Sequence, residues 1–505
     1  MIFNILMIII IICLLIILGI KFLKIVKCHK FFKLHGIPHQ SPLPIFGNIL
    51  PVLLRQINVS DLIKNLYNKY PNTKYFGLYD FANPGIVIRD IELIKSIGIK
   101  NFENFTDHGM FGEEPCDPLF GRNLFLLKGK KWHDIRCLLS PAFTSNKLKL
   151  MFKLISQCAI NFTEILTNET NELKEMKETF DKYTNDVILN CAFGININTM
   201  KDPNNDFYLL GKKATNMEKL TIKIFLMREF PYLMNLFNIN LVDPCVYKFF
   251  KNIIMSTIKK REIMGIIKND MLQLIMNDRG KLNLTEDEKI AQGFVFYFGG
   301  FDATSTIISC ASHELAVNVN IQRKLQEKID LILCEFNGDP TYDAISEFEY
   351  LDAIVNETLR KYPILPVLDR VCTKEFEFPP TTSDAKPFLV QPGMTIWIPV
   401  IGYHYDPIYY EEPEKFNPER FLKNGTANIK SMTFLSFGIG PRQCIGSRFA
   451  LLKIKIMLFH LLSKYNLKVC SKTNVPLKSS KKTLGFFADN GYWMELERRK
   501  KKFLL

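Results

Sequence analysis

Residues 1–20 are an almost unbroken hydrophobic run of Ile, Leu, Met and Phe, with Asn4 the only strongly polar side chain. A run of about 20 apolar residues has the length of a helical membrane span. A cleaved signal would begin with a basic stretch and end on small residues, and neither pattern is present. Lysines follow the run instead, at Lys21, Lys24, Lys27, Lys30 and Lys33. Such a flank stays on the cytosolic side, which predicts a retained anchor with the rest of the chain facing the cytosol. Next comes a stiff connector containing Pro38, Pro42 and Pro44. The pattern then predicts a helix over 61–70, stopped by Pro71, and two β-rich runs, 74–79 and 85–89, separated by Asn83-Pro84. Residues 207–259 read as amphipathic helices broken by Pro231 and Pro244, with a hydrophobic face suited to packing or to a membrane surface. Thr285, followed by three acids, starts a long helix. Residues 388–390 and 395–399 read as strand, turn, strand, and Asp489-Asn490-Gly491 as a hairpin turn. The apolar period of 447–465 predicts a helix.

Composition narrows the picture without naming a function. The 505 residues are 47% hydrophobic, and no linker, repeat or low-complexity tract divides them after the N-terminal region. That favours one large helix-rich domain over a string of modules. The twelve cysteines are scattered, and with the eight histidines they form no zinc-ligand spacing, so reduced thiols facing the cytosol are expected. The net charge of +14 has no aromatic-interleaved basic platform to suit nucleic acid. Anionic lipid and an acidic protein partner account for it better.

The chemistry concentrates in residues 437–446: Phe437, Gly438, Gly440, Arg442, Cys444 and Gly446, directly before the 447–465 helix. A lone cysteine beside a core helix is usually a buried structural residue. Here the backbone N–H groups of the loop and the helix N-terminus both favour the thiolate, the form that binds metal. Arg442 can reach an anionic group on the same ligand. The joint pattern Phe-x-x-Gly-x-Arg-x-Cys-x-Gly should arise by chance in a chain this long on the order of once in ten thousand. It resembles the haem-binding loop of the cytochrome P450 family.

Other motifs follow in that family's order. Trp132 and Arg136 share one helical face, Glu357 and Arg360 stand at i and i+3, and Arg420 lies in a Pro-Glu-Arg-Phe stretch. The resemblance implies a mainly α P450 fold with a small β-rich region. It is expected as anchor 1–20, basic and proline-rich hinge 21–48 and catalytic domain 49–505. It implies haem b with Cys444 as axial ligand, cradled by Phe437, Gly438 and Gly446. Trp132, Arg136, Arg370, Arg442 and His108 would face the propionates, and Glu357, Arg360 and Arg420 would form a buried ionic network. The region around 138–145 resembles the clan of insect and vertebrate detoxifying enzymes and thromboxane synthase.

Two adjacent glycines cost a helix about 1 kcal/mol each relative to alanine, so Gly299 and Gly300 mark a place where the chain needs space. By resemblance, Gly299, Gly300 and Ala303 border an oxygen groove and Asp302 belongs to a proton relay. The family usually has Thr where this chain has Ala303. Thr304 follows and is the catalytic hydroxyl expected beside Asp302, in a relay through Asp302, water and Thr304 or with a hydroxyl of the substrate in its place, although neighbouring positions on a helix do not share a face. The implied activity is monooxygenation of a hydrophobic small molecule, with NADPH electrons delivered by NADPH–cytochrome P450 reductase and cytochrome b5 as a further partner, at the endoplasmic reticulum membrane. The alternatives are a P450-type isomerase or dehydratase acting on a peroxide without NADPH, suggested by Ala303, and a non-catalytic haem-binding sensor.

Overall fold

The structure, a computed structural model, describes residues 19, 30–109, 117–166, 173–278, 282–422 and 432–500. The expected anchor over 1–20 lies outside the described residues save Gly19, as does the basic flank up to residue 29. The chain divides into two compact units. One gathers the segment up to Gly109 with Pro366–Tyr403 and Ile439–Pro441, and the other holds the remainder.

The first unit is built on a four-stranded sheet of β1 (Tyr75–Asp80), β2 (Asn83–Ile88), β3 (Leu368–Val371) and β4 (Thr395–Ile398), in the order β1-β2-β4-β3. Asn83 and Pro84 do not separate the first two strands as expected, because both belong to β2, opposite Asp80 and Tyr79. Pro84 is tolerated near the start of a strand, and the turn falls instead on Phe81, whose φ is +53°. The proline-rich connector is fastened to this sheet. Asn48 accepts the Tyr79 N–H at 2.7 Å and donates to the carbonyls of Gln40 and Ser41. The helix expected over 61–70 spans Val59–Lys69, because Asn58 caps it by accepting the Asp61 N–H at 2.8 Å. Residues 388–390 and 395–398 are strands, but not partners of one another. Phe388–Val390 pairs with Phe376–Phe378, and β4 lies between β2 and β3.

The second unit is largely helical. It contains α1 (Gly129–Leu139), α2 (Met176–Ile188), α3 (Glu286–Val317), α4 (Glu349–Lys361) and α5 (Ser447–Lys464). α3 starts on a complete capping box: Thr285 accepts the Glu288 N–H, and the Glu288 carboxylate accepts the Thr285 N–H at 3.0 Å. It is long and apolar enough to cross a bilayer, yet every residue from Thr304 to Ala316 is buried within the protein, which makes it a core helix. Two of its buried hydroxyls return to the helix itself: Thr306 donates to the Asp302 carbonyl and Ser309 to the Ser305 carbonyl, each one turn back. The amphipathic region after residue 206 resolves into Asp206–Ala214, Met217–Glu229, Pro231–Leu236 and Pro244–Met264. Pro231 and Pro244 each open a helix at its first turn.

The expected hairpin around Asn490-Gly491 is a turn without a two-strand hairpin. Trp493–Arg498 pairs with Leu173–Glu175 and Tyr465–Lys468, not with the residues before the turn. Glu175 draws the chain aside by accepting the Tyr492 N–H at 2.8 Å.

Candidate active site

In the second unit, the loop leading to Cys444 is held from behind by α4 and by a histidine. Glu357 and Arg360 lie one turn apart on α4, both fully buried, and form a bidentate pair at 2.7 and 2.9 Å. The same Glu357 carboxylate accepts from Arg420 at 3.2 Å and from the Asn417 N–H at 2.8 Å. Arg360 also donates to the His404 carbonyl at 2.8 Å. The three residues expected to form a buried network therefore come together.

His404 was not singled out by sequence reasoning. Its Nδ1 bonds the Arg360 carbonyl at 2.9 Å, and its Nε2 accepts the Leu435 N–H at 3.1 Å. The first bond needs a proton on Nδ1 and the second needs a bare Nε2, so the neutral Nδ1–H tautomer is selected. Burial and the nearby Arg360 charge hold its pKa down at about 3. Its ring stacks on Phe434, and Ser436 donates to the Leu359 carbonyl. The segment from Phe434 to Ser436 is thus fixed to α4 just before the cysteine.

The loop closes through Cys444, whose N–H donates to the Phe437 carbonyl at 2.8 Å. Gly438 adopts φ +83°, a conformation that favours glycine. Gly446 has an ordinary φ of −95°, and a Cβ there would only touch Phe143 at 3.7 Å. Nothing among the described residues demands glycine at that position. The Cys444 side chain is accessible, but protein surrounds it closely enough that burial pushes its thiol up. The Gly446 N–H and the Arg136 charge pull the other way.

On α1, Trp132 is buried, and the Arg442 guanidinium lies 4.0 Å from the centre of its ring. Arg442 also donates to the Leu127 carbonyl at 2.7 Å. Arg136, one turn beyond Trp132, is half-buried.

The oxygen-groove residues separate by helical phase. Gly299 is exposed, and a Cβ added there would meet nothing within 4 Å. Ala303, four residues on, shares its face. Gly300 does not border that open face: a Cβ there would sit 2.7 Å from Ile188 Cδ1, so it is a glycine of close packing between α3 and α2. α3 continues unbroken through the pair. Thr304 therefore stays on a different flank, 3% exposed. Asp302 is tethered to α2, its carboxylate 2.8 Å from Lys177 Nζ. Lys177 in turn bonds Asp181 at 2.6 Å, which accepts from Ser305 at 2.5 Å. Burial raises the Asp302 pKa, with Lys177 opposing.

In the first unit, Arg370 on β3 is 1% exposed and donates to the Asp369 and Ile439 carbonyls. Its Nε has no hydrogen-bond partner among the described residues, and burial lowers its pKa. His108 does not stand alone: its Nδ1 bonds the Asp369 carboxylate at 2.9 Å. Gly440 adopts φ +66°, and a Cβ there would lie 1.8 Å from the Gly98 carbonyl oxygen.

These features fit a haem. Within the second unit a thiol stands at the head of α5, Gly299 leaves open space on α3, and the Arg442 guanidinium beside Trp132 is suited to a carboxylate.

The comparisons with known proteins agree. The cytochrome P450 family pattern matches residues 37–493. The chain is 40% identical to cytochrome P450 9e2 of Blattella germanica, with 93% of this chain and 94% of that protein covered. It is 35% identical to probable cytochrome P450 9f2 of Drosophila melanogaster, over 93% and 95%. It is 36% identical to probable cytochrome P450 6a23 of the same fly, over 94% and 96%. Matched over nearly its whole length by the family and by these insect proteins, the chain belongs to the cytochrome P450 family and is a P450 monooxygenase.

Proposed function

We propose that the protein inserts one oxygen atom of O2 into a hydrophobic small molecule, a xenobiotic or a steroid- or fatty-acid-like compound. The electrons would originate in NADPH and arrive through NADPH–cytochrome P450 reductase, with cytochrome b5 as an additional donor. Haem b, bound through Cys444, would supply the oxygen activation, its thiolate ligand favouring O–O cleavage. The observation that carries this reading is a cysteine at the head of α5 in the same unit as the open Gly299–Ala303 face of α3.

Each residue has a task in this account. The Gly446 N–H and Arg136 stabilise the Cys444 thiolate. By resemblance to the family, Trp132, Arg136 and Arg442, and separately Arg370 and His108, would bind the carboxylates of the cofactor, and Phe437, Gly438 and Gly446 would lie against its ring. Glu357, Arg360, Arg420 and His404 hold the loop. Asp302 carries the exchangeable proton, and Lys177 fixes the orientation of its carboxylate. With no hydroxyl at Ala303 and Thr304 turned into the core, water on the Gly299–Ala303 face passes the proton on from Asp302.

Residues 1–20 anchor the chain, 21–48 form the hinge and 49–505 the catalytic domain, at the endoplasmic reticulum membrane facing the cytosol. Exposed apolar side chains at Tyr232, Leu236 and Phe237, 67–88% accessible, support contact with lipid.

The test uses full-length protein in lipid with its reductase. Substrate-dependent NADPH consumption with oxygenated product is expected. Cys444→Ser should abolish both, together with the 450-nm absorption of the ferrous carbonyl form. Turnover that survives Cys444→Ser would refute the assignment.

A further inference from the structure

We propose that Lys453 is a positioning residue of the oxygenation site, fixing the glycine pair of α3 to the helix that begins behind Cys444. Lys453 lies on α5 and is 0% exposed. Its Nζ donates to the carbonyl oxygen of Gly300. Among the described residues no carboxylate lies within ion-pair distance of it. Burying an unpaired ammonium is costly, and an apolar side chain would fill the same core position without that cost. The amine is therefore placed for the carbonyl it meets.

Three helices converge on Gly300. Ile188 of α2 occupies the space that a Cβ would take, Lys453 of α5 bonds its carbonyl, and Tyr183 of α2 donates to the carbonyl of Lys453 itself at 3.0 Å. A carbonyl oxygen has two lone pairs, so the lysine adds a bond without displacing one of the helix. Burial lowers the Lys453 pKa to about 7, opposed by Cys191. The charged and the neutral amine both carry N–H donors, so the link persists in either form.

The neighbouring Gly299 faces open space, and Ala303 on that face offers no hydroxyl. Water entering that face would meet only backbone polar groups, and the backbone at Gly300 is held by Lys453. Loosening the link should disturb proton delivery and leave substrate binding intact.

This inference rests on the monooxygenase reading, and two measurements on the holoenzyme separate them. The first is hydrogen exchange of peptides covering 299–306. Lys453→Met, which keeps length and removes the donor, should speed exchange there about tenfold and leave other α3 peptides unchanged. The second is coupling: product formed per NADPH should fall several-fold at unaltered KM, with the 450-nm carbonyl band retained. Lys453→Arg, which restores a donor, should recover both. Should Lys453→Met fail to take up haem, Lys453→Gln and Lys453→Arg serve instead. Both keep a donor, and wild-type exchange and coupling are expected in both. Wild-type exchange and coupling in Lys453→Met, or disturbed exchange in both donor-bearing variants, would overturn the proposal. Wild-type enzyme that consumes no NADPH would defeat the monooxygenase reading and leave the exchange comparison standing.

Discussion

His404 connects α4 to the cysteine loop through both of its ring nitrogens. Replacing it with Phe would keep the stacking on Phe434 but strand the Leu435 N–H and one acceptor of Arg360, each costing about 1–3 kcal/mol. The expected outcome is a protein that folds less stably and loses haem on gel filtration, with substrate preference unchanged in the fraction that stays loaded. Glu357→Ala should be more severe, because it leaves Arg360 charged in the core, at about 3–5 kcal/mol. Absent haem incorporation, read from the 450-nm band of the expressed protein, checks it. The difference in legibility between these two positions has a physical origin. Glu357 and Arg360 stand one helical turn apart, so spacing alone puts them on one face. His404 meets backbone atoms of two distant segments, and a single histidine carries no pattern that could announce this. Arg370 was legible as an arginine on a strand, but the carboxylate of Asp369 beside His108 depends on a loop conformation that no periodicity encodes.

The long helix α3 shows the same limit over a whole element. Its start was readable from Thr285 and the acids of its first turn, and its need for space from two adjacent glycines. Which glycine faces open space was not, because neighbours on a helix point about 100° apart and the phase is set by packing against α2. The structure separates them, and so do the predicted variants. Gly300→Ala would drive a methyl into Ile188 and should destabilise by about 1–3 kcal/mol, lowering Tm. Gly299→Ala meets no obstacle and should fold like wild type while altering coupling. Thr304→Val, isosteric and buried on another flank, should change coupling little. A large loss of coupling in Thr304→Val would show that the hydroxyl reaches the relay despite the unbroken helix. The short strands were located well from β-rich runs but paired poorly. Partner choice for 388–390, 395–398 and the segment after Gly491 was settled by long-range contacts such as that of Glu175, which local pattern does not contain.

Among the described residues, His313, His404 and His460 are buried and held neutral. Burial lowers the pKa of His313 to about 4, of His404 to about 3 and of His460 to about 4. Each binds a proton more readily when unfolded than when folded, so stability is fully present above pH ~6.5 and is lost as pH falls towards these values. About 1–2 kcal/mol per histidine should be lost by pH 5. Thermal unfolding at pH 7 and pH 5 should show a marked fall in Tm, lessened in His313→Asn, and an unchanged Tm would contradict the burial assigned to these rings. The order of the motifs and the family were plain from sequence because each is a matter of fixed spacing. The substrate is not, since no residue pattern names the guest of an apolar pocket. The most direct test of the whole account is therefore a stoichiometry, measured on full-length wild type and Ala303→Thr with reductase, NADPH and labelled O2 over a panel of lipophilic compounds. The account predicts one labelled oxygen atom per product, consumption of NADPH that depends on substrate, and more product per NADPH in Ala303→Thr. Conversion of a hydroperoxide with no need for NADPH or O2, and no labelled product from any compound, would contradict it.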